Sequence, residues 1–248
     1  MEVETSRPCI IYAHGGGVVG GTALQYKNFL SYMATSCQVV VFNVDYRLAP
    51  DTRAPNNIFD FYEVVKYVSR HAEELAVDAD RICIAGEDGG GYITAGTMVK
   101  LAQEDEAGLV KLAIPTIPML TDYSFGSKAA MTKYEEENAV GQQRLWRLIA
   151  EPDKLEEMKD DPLLFPGHAD DNTLRKMPPT VVWSTEFDLY STETIRFANR
   201  LRFAGRLLEF VSIPGANHSS GFDPDKNLNI WKVWSEAWAL TIREYLVK

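Results

Sequence analysis

The chain has 248 residues, 46% of them hydrophobic and 24% charged, which suits one well-cored domain and argues against disorder. Its formal net charge of −10 at pH 7 would repel nucleic acid and anionic membrane surfaces, and no apolar run reaches the length of a membrane span. Three cysteines, Cys9, Cys37 and Cys83, cannot all pair and lie in or beside apolar runs, so they read as reduced core residues.

Along the chain, apolar runs bounded by turn residues alternate with helix-period segments, the pattern of a mostly parallel sheet flanked by helices. Strands are predicted at Cys9 to Ala13, Gln38 to Val44, Arg81 to Ala85, Leu109 to Ile117, Thr180 to Ser184 and Leu207 to Ile213. Helices are predicted at Leu24 to Ala34, Ile58 to His71, Gly90 to Gln103, Thr192 to Phe203 and Leu228 to Val247. The fold class is therefore α/β. The rhythm breaks between 121 and 177, where charge density rises through Lys133-Tyr134-Glu135-Glu136-Glu137 and Lys154-Leu155-Glu156-Glu157-Met158-Lys159. This stretch reads as a helical insertion into a core formed by 1–120 and 178–248, serving either as a lid or as a solvated helical pair with no role at the site. Its aromatics Tyr123, Phe125, Trp146 and Phe165 suit either a pocket lining or simple packing. The N-terminal residues Met1 to Pro8 are acidic and lack the regions of a signal peptide, so a cytoplasmic location is expected.

The chemistry concentrates in four places. Gly86-Glu87-Asp88-Gly89-Gly90 lies between a strand and a helix, where a Gly-x-Nuc-x-Gly turn presents its central side chain at the helix N-terminus. Taken alone, an aspartate there is more often a structural helix cap than a catalytic group. His14-Gly15-Gly16-Gly17 follows the first strand, and a glycine run there exposes N–H groups that can converge on a developing oxyanion. It could also be a plain flexible connection anchored by His14. Asp188 stands just past a strand end and His218 follows the last strand, where a loop histidine on the surface is the bland alternative. The order nucleophile, acid, histidine is that of the α/β-hydrolase architecture.

With these motifs, and with Asp45-Tyr46-Arg47-Leu48-Ala49-Pro50, Pro55, Asp60, Asp78-Ala79-Asp80-Arg81, Phe187-Asp188-Leu189 and His218-Ser219-Ser220-Gly221-Phe222, the chain resembles the hormone-sensitive-lipase-like α/β-hydrolases. That branch includes carboxylesterases and arylacetamide deacetylases, and the match covers nearly the whole chain. The resemblance implies an α/β-hydrolase fold with a small helical cap at 121–177. It implies Asp88, His218 and Asp188 as the triad, and the N–H groups of Gly15, Gly16 and Gly89 as the oxyanion hole. His14, Gly17, Glu87, Gly86 and Gly90 would support the site, and Tyr46 to Pro50 would buttress the glycine loop. No metal or organic cofactor is implied, and the partner is a small-molecule substrate. The sequence departs from the family by carrying Asp88 where serine is usual and by a shortened N-terminal cap region. A shorter cap would leave the site more open, or covered by a partner subunit in a homodimer.

An aspartate cannot repeat serine chemistry, because its attack on an acyl carbon gives a mixed anhydride and must expel a far more basic alkoxide. Ordinary esters should therefore turn over weakly. The expected function is a carboxylesterase-like hydrolase with an altered Asp-His-Asp triad, acting on small ester-like or alkyl substrates. The alternatives are an aspartate-nucleophile hydrolase of the dehalogenase or epoxide-hydrolase type, and a non-catalytic binding protein on an esterase scaffold.

Overall fold

The computed structural model describes residues 6–121, 133–218 and 228–248. Tyr123, Phe125 and the Ser219 to Phe222 part of the last motif lie outside the described residues, as do the side chains of Lys133 to Glu137. Six strands form one sheet: β1 (Arg7–Ala13), β2 (Val40–Val44), β3 (Val77–Glu87), β4 (Leu112–Thr116), β5 (Thr180–Phe187) and β6 (Leu207–Asn217). Every pairing is parallel and the order is β2-β1-β3-β4-β5-β6. The helices are α1 (Lys27–Cys37), α2 (Asn56–Arg70), α3 (Gly89–Gln103), α4 (Lys133–Ile149), α5 (Asp171–Lys176), α6 (Ser191–Phe203) and α7 (Leu228–Ile242), the last continuing as a π turn over Arg243–Val247.

Strand side chains alternate between two cores, as a sheet covered on both faces requires. Cys9, Ile11, Ile82 and Ile84 enter one core with α2 and α3, whereas Ile10, Tyr12, Cys83 and Ala85 enter the other with α1 and α7. Helix α2 buries Ile58, Phe61, Tyr62, Val65 and Val68, a stripe at three- and four-residue spacing. Helix α7 sends Trp234 and Trp238 against Trp183 of β5, with ring centroids 5.1 and 5.7 Å apart. The cysteines are buried and unbridged. No helix among the described residues is long and apolar enough to cross a membrane.

Strand limits differ from expectation: β3 starts at Val77, before the predicted Arg81, and β5 and β6 run on to Phe187 and Asn217, past the predicted Ser184 and Ile213. The predicted start at Gln38 is instead a left-handed residue (φ 54°) ending α1, and the predicted start at Leu109 closes a 3-10 turn over Ala107–Leu109. Between 121 and 177 the described residues form helices and turns, including the short α5, whose first turn is capped by Asp170 accepting from Thr173 N–H at 2.7 Å. Trp146 and Phe165 are fully buried with centroids 4.7 Å apart, and Trp146 meets Tyr92 edge-on at 5.4 Å, so these two aromatics pack.

The order of strand addition reverses at β1, so β2 and β3 lie on its opposite sides and the loops leaving β1 and β3 open a crevice at their carboxyl ends. The elbow closes tightly against this crevice. A Cβ on Gly90 would lie 2.0 Å from the Ala13 carbonyl oxygen and 2.7 Å from that of His14. Gly90→Ala must therefore shift backbone, and we expect a loss of about 3 kcal/mol or failure to fold. Gly108→Ala, whose Cβ would meet nothing within 4 Å, should unfold at nearly the wild-type urea midpoint.

Candidate active site

Asp88 occupies the crest of the turn between β3 and α3 with φ 52° and ψ −116°, a left-handed conformation costly for any residue but glycine. Two backbone hydrogen bonds hold it there, from Asp88 N–H to the Thr116 carbonyl (3.0 Å) and from Tyr92 N–H to the Asp88 carbonyl (2.9 Å). Strain at this point projects the carboxylate out of the turn toward the glycine loop.

That loop is built by contacts with residues far along the chain. Tyr46 donates its hydroxyl to the His14 carbonyl at 2.6 Å and stacks on the His14 ring at 4.4 Å, while Ala49 N–H donates to the Val18 carbonyl at 2.9 Å. His14 Nδ1 lies 2.8 Å from the Gly15 carbonyl. Burial lowers the His14 pKa against the opposing effects of Gly15 and Asp45, which suits a neutral anchoring ring. The Tyr46 segment is itself fixed by Arg47, whose guanidinium pairs with Asp60 at 2.6 Å. Gly16 and Gly17 both have positive φ (112° and 59°), and their amides turn inward.

The amides converge on Asp88. Gly16 N–H and Gly17 N–H donate to Asp88 Oδ2 at 2.9 and 2.8 Å, and the Gly89 N–H also favours the charged carboxylate. The expected pair of loop donors was Gly15 and Gly16, whereas the observed pair is Gly16 and Gly17. Gly15 instead packs on Glu87, its Cβ position only 2.4 Å from Glu87 Oε1. Gly16 and Gly17, both at positive φ, are the pair that curls around the carboxylate, while Gly15 faces Glu87.

On the other side of Asp88 lies His218. Its Nε2 is 3.3 Å from Asp88 Oδ1 and its Nδ1 is 2.8 Å from Asp188 Oδ2. Asp188 is buried and oriented by Tyr190 N–H (2.7 Å to Oδ1) and by the Thr185 hydroxyl (3.2 Å to Oδ2). Tyr190 also sets its ring edge-on to His218 at 5.4 Å and donates its hydroxyl to Gln142 of α4 at 2.9 Å. Thr185 and Tyr190 were not foreseen from sequence, although an aspartate whose side chain accepts from the N–H two residues on is a recognisable turn signature. Leu145, also on α4, would touch a Cβ on Gly17 at 3.3 Å, so α4 leans on both the glycine loop and the acid loop.

The electrostatics follow from this packing. Burial works against ionisation of Asp88, but the hydrogen bond and charge of His218, with the Gly16 and Gly89 amides, hold its pKa at about 2. Burial likewise opposes a charge on His218, yet Asp188 and Asp88 outweigh it and push the imidazole well above its ordinary value. The resting site is thus an ion pair, with side chains 15% (Asp88) and 34% (His218) exposed. The depressed Asp88 contributes stability above its ordinary 3.8, lost as pH falls through 2. The raised His218 contributes stability below its ordinary 6.5, lost as pH rises through its higher folded value. The advantage of wild type over Asp88→Asn in urea unfolding should therefore peak between pH 3.8 and 6.5 and shrink on both sides.

Among the described residues, no group of three or more His, Cys, Asp or Glu side chains is arranged to hold a metal ion.

Residues 10–221, which include every side chain of this constellation, match the alpha/beta hydrolase fold family. The chain belongs to that family. This α/β-hydrolase is similar to the carboxylesterase NlhH of Mycobacterium tuberculosis, at 28% identity over 220 residues covering 87% of this chain and 67% of that protein. It is also similar to an AB hydrolase superfamily protein of Schizosaccharomyces pombe, at 27% identity over 205 residues covering 82% and 60%. Among solved structures, a bacterial heroin esterase superposes with TM-score 0.85 at 28% identity, covering 98% of this chain and 76% of that one. A thermostable carboxylesterase cloned from a metagenomic library superposes with TM-score 0.84 at 26% identity, covering 98% and 81%. The chain spans 60 to 68% of the length of the first curated relatives it matches. The α/β-hydrolase fold and a carboxylesterase-like family follow from these likenesses.

Proposed function

We propose that this α/β-hydrolase uses Asp88 as a nucleophile toward a saturated carbon of small, fairly apolar alkyl or ester-like electrophiles, and that its turnover of ordinary acyl esters is weak. The supporting observation is the division of labour between the two carboxylate oxygens: Oδ2 rests against Gly16 and Gly17 N–H, while Oδ1 faces His218. Acyl transfer needs the N–H pair for the substrate's carbonyl oxygen, and here the pair already holds Asp88. A carboxylate with a pKa of about 2 is also a poor general base, and an imidazolium flanked by two carboxylates has no free site for a proton.

Alkylation of Asp88 removes these obstacles. Oδ1 attacks the carbon, the leaving group departs with its electron pair, and Asp88 becomes a neutral ester. His218 has then lost one of the two charges that hold its proton, so it releases that proton toward the leaving group and becomes a base. Nε2 next takes a proton from water, whose oxygen attacks Cγ of Asp88. Negative charge builds on Oδ2 between the Gly16 and Gly17 N–H groups, where an oxyanion hole is required. Collapse breaks the Cγ–O bond to the substrate carbon, His218 returns its proton to the departing alkoxide, and the carboxylic acid left at Asp88 then gives its own proton to His218, restoring the ion pair. The products are an alcohol and the protonated leaving group. Residues 121–177 serve in this reading as a cap, through the contacts of Gln142 and Leu145 with the site. Trapping an adduct on Asp88 tests the proposal.

A further inference from the structure

Glu87 lies beside the reacting carboxylate and takes no part in the scheme above. It is the last residue of β3 and shares its face with Cys83 and Ala85, so it caps the core that holds Tyr12, Tyr26 and α1. The carboxyl is buried, and its Oε1 has no hydrogen-bond partner among the described residues. The Tyr12 hydroxyl, also buried, is likewise unpartnered among them. Directly above lies Gly15: a Cβ there would fall 2.4 Å from Glu87 Oε1 and 3.0 Å from the Tyr26 hydroxyl, so the loop's α-carbon seats on this carboxyl and tolerates no side chain. The charged groups acting on Glu87 are Asp88 and Asp188, which disfavour its ionisation, and His218, which favours it, with the Gly15 amide assisting ionisation. Burial together with the neighbouring Asp88 charge prevails, and the pKa of Glu87 rises well above the ordinary carboxyl value.

We propose that Glu87 is an uncharged strut beneath the glycine loop, a positioning residue that receives Gly15 and thereby aims the Gly16 and Gly17 N–H groups at Asp88. A third negative charge here would sit unpaired against Asp88 in a site whose single cation, among the described residues, already answers two carboxylates. A neutral acid fills the same volume without that repulsion. The role concerns the folded loop and stands whether or not Asp88 reacts.

The test compares wild type with Glu87→Gln, which keeps shape and neutrality, and with Glu87→Leu, which keeps bulk and removes polarity. Native wild type retains a proton that its unfolded chain releases above pH 4.5, the ordinary value for the group. Its unfolding constant relative to Glu87→Gln should therefore grow about tenfold per pH unit above that point, until the native carboxyl ionises. In amide NMR spectra, Glu87→Gln should leave the Gly16 and Gly17 resonances in place and Glu87→Leu should move both. A pH-independent ratio would mean that Glu87 is charged in the native protein and would overturn the proposal, as would Gly16 and Gly17 amides displaced by the glutamine. If the leucine variant fails to fold, the pH series and the glutamine spectra decide the matter alone.

Discussion

Asp88→Ser should raise hydrolysis of short-chain aryl esters by at least about a hundredfold, a conservative fraction of the roughly million-fold cost of losing a triad nucleophile. Three consequences of the one substitution act in the same direction. Serine brings no carboxylate oxygen to the Gly16 and Gly17 N–H groups, so the hole becomes available to a substrate carbonyl. His218 loses one of its two anionic neighbours and its pKa falls, which lets Nε2 accept the hydroxyl proton. Asp188 remains fixed by Tyr190 N–H and Thr185, so the imidazole keeps its orientation. Spectrophotometric assay of aryl acetates or butyrates measures the gain. No gain would show that the rest of the site is not competent for acyl transfer, and that the likeness to esterases ends at the fold.

The second large effect concerns the ester of Asp88. In His218→Gln the alkylation step survives, because Oδ1 needs no base, whereas water attack on Cγ loses its base. Removing such a base costs about 10²- to 10⁴-fold in the step it serves. The adduct should then accumulate, and mass spectrometry of the peptide containing Asp88 should show the added alkyl mass after exposure to alkyl halides, epoxides or alkyl esters. An unmodified peptide across all three panels would exclude covalent catalysis by Asp88. Tight ligand binding without turnover in wild type and in Asp88→Ser would instead mark a binding protein on an esterase scaffold.

Much of the architecture was legible in the chain because it rests on local regularities. The unbroken apolar runs Cys9 to Ala13 and Ile82 to Ala85, which a strand buried on both faces requires, and the three- and four-residue spacing of α2 reflect how each element must present apolar side chains to a core. The elbow was legible for a similar reason, since glycines flanking Asp88 are needed wherever backbone from another strand comes as close as Ala13 does to Gly90. Element ends were read less well: the limits of β2 and β4 depend on the turn at Gln38 and the 3-10 turn before Val110, where several short-range conformations compete.

The sequence by itself determined the order of Asp88, Asp188 and His218 and which strands they follow, since both come from chain order and from the apolar runs between turns. Which loop amides reach Asp88 was decided only by tertiary structure. The Gly16 and Gly17 contacts with Asp88 cross 72 and 71 residues of chain, and they depend on Tyr46, Ala49 and Glu87 holding the loop at one curvature. The state of the site was decided there too, because a carboxylate's charge depends on the amides and imidazole brought around it by folding. In isolation Asp88 is an ordinary acid at an unusual place; folded, it accepts from the Gly16 and Gly17 N–H groups and pairs with His218.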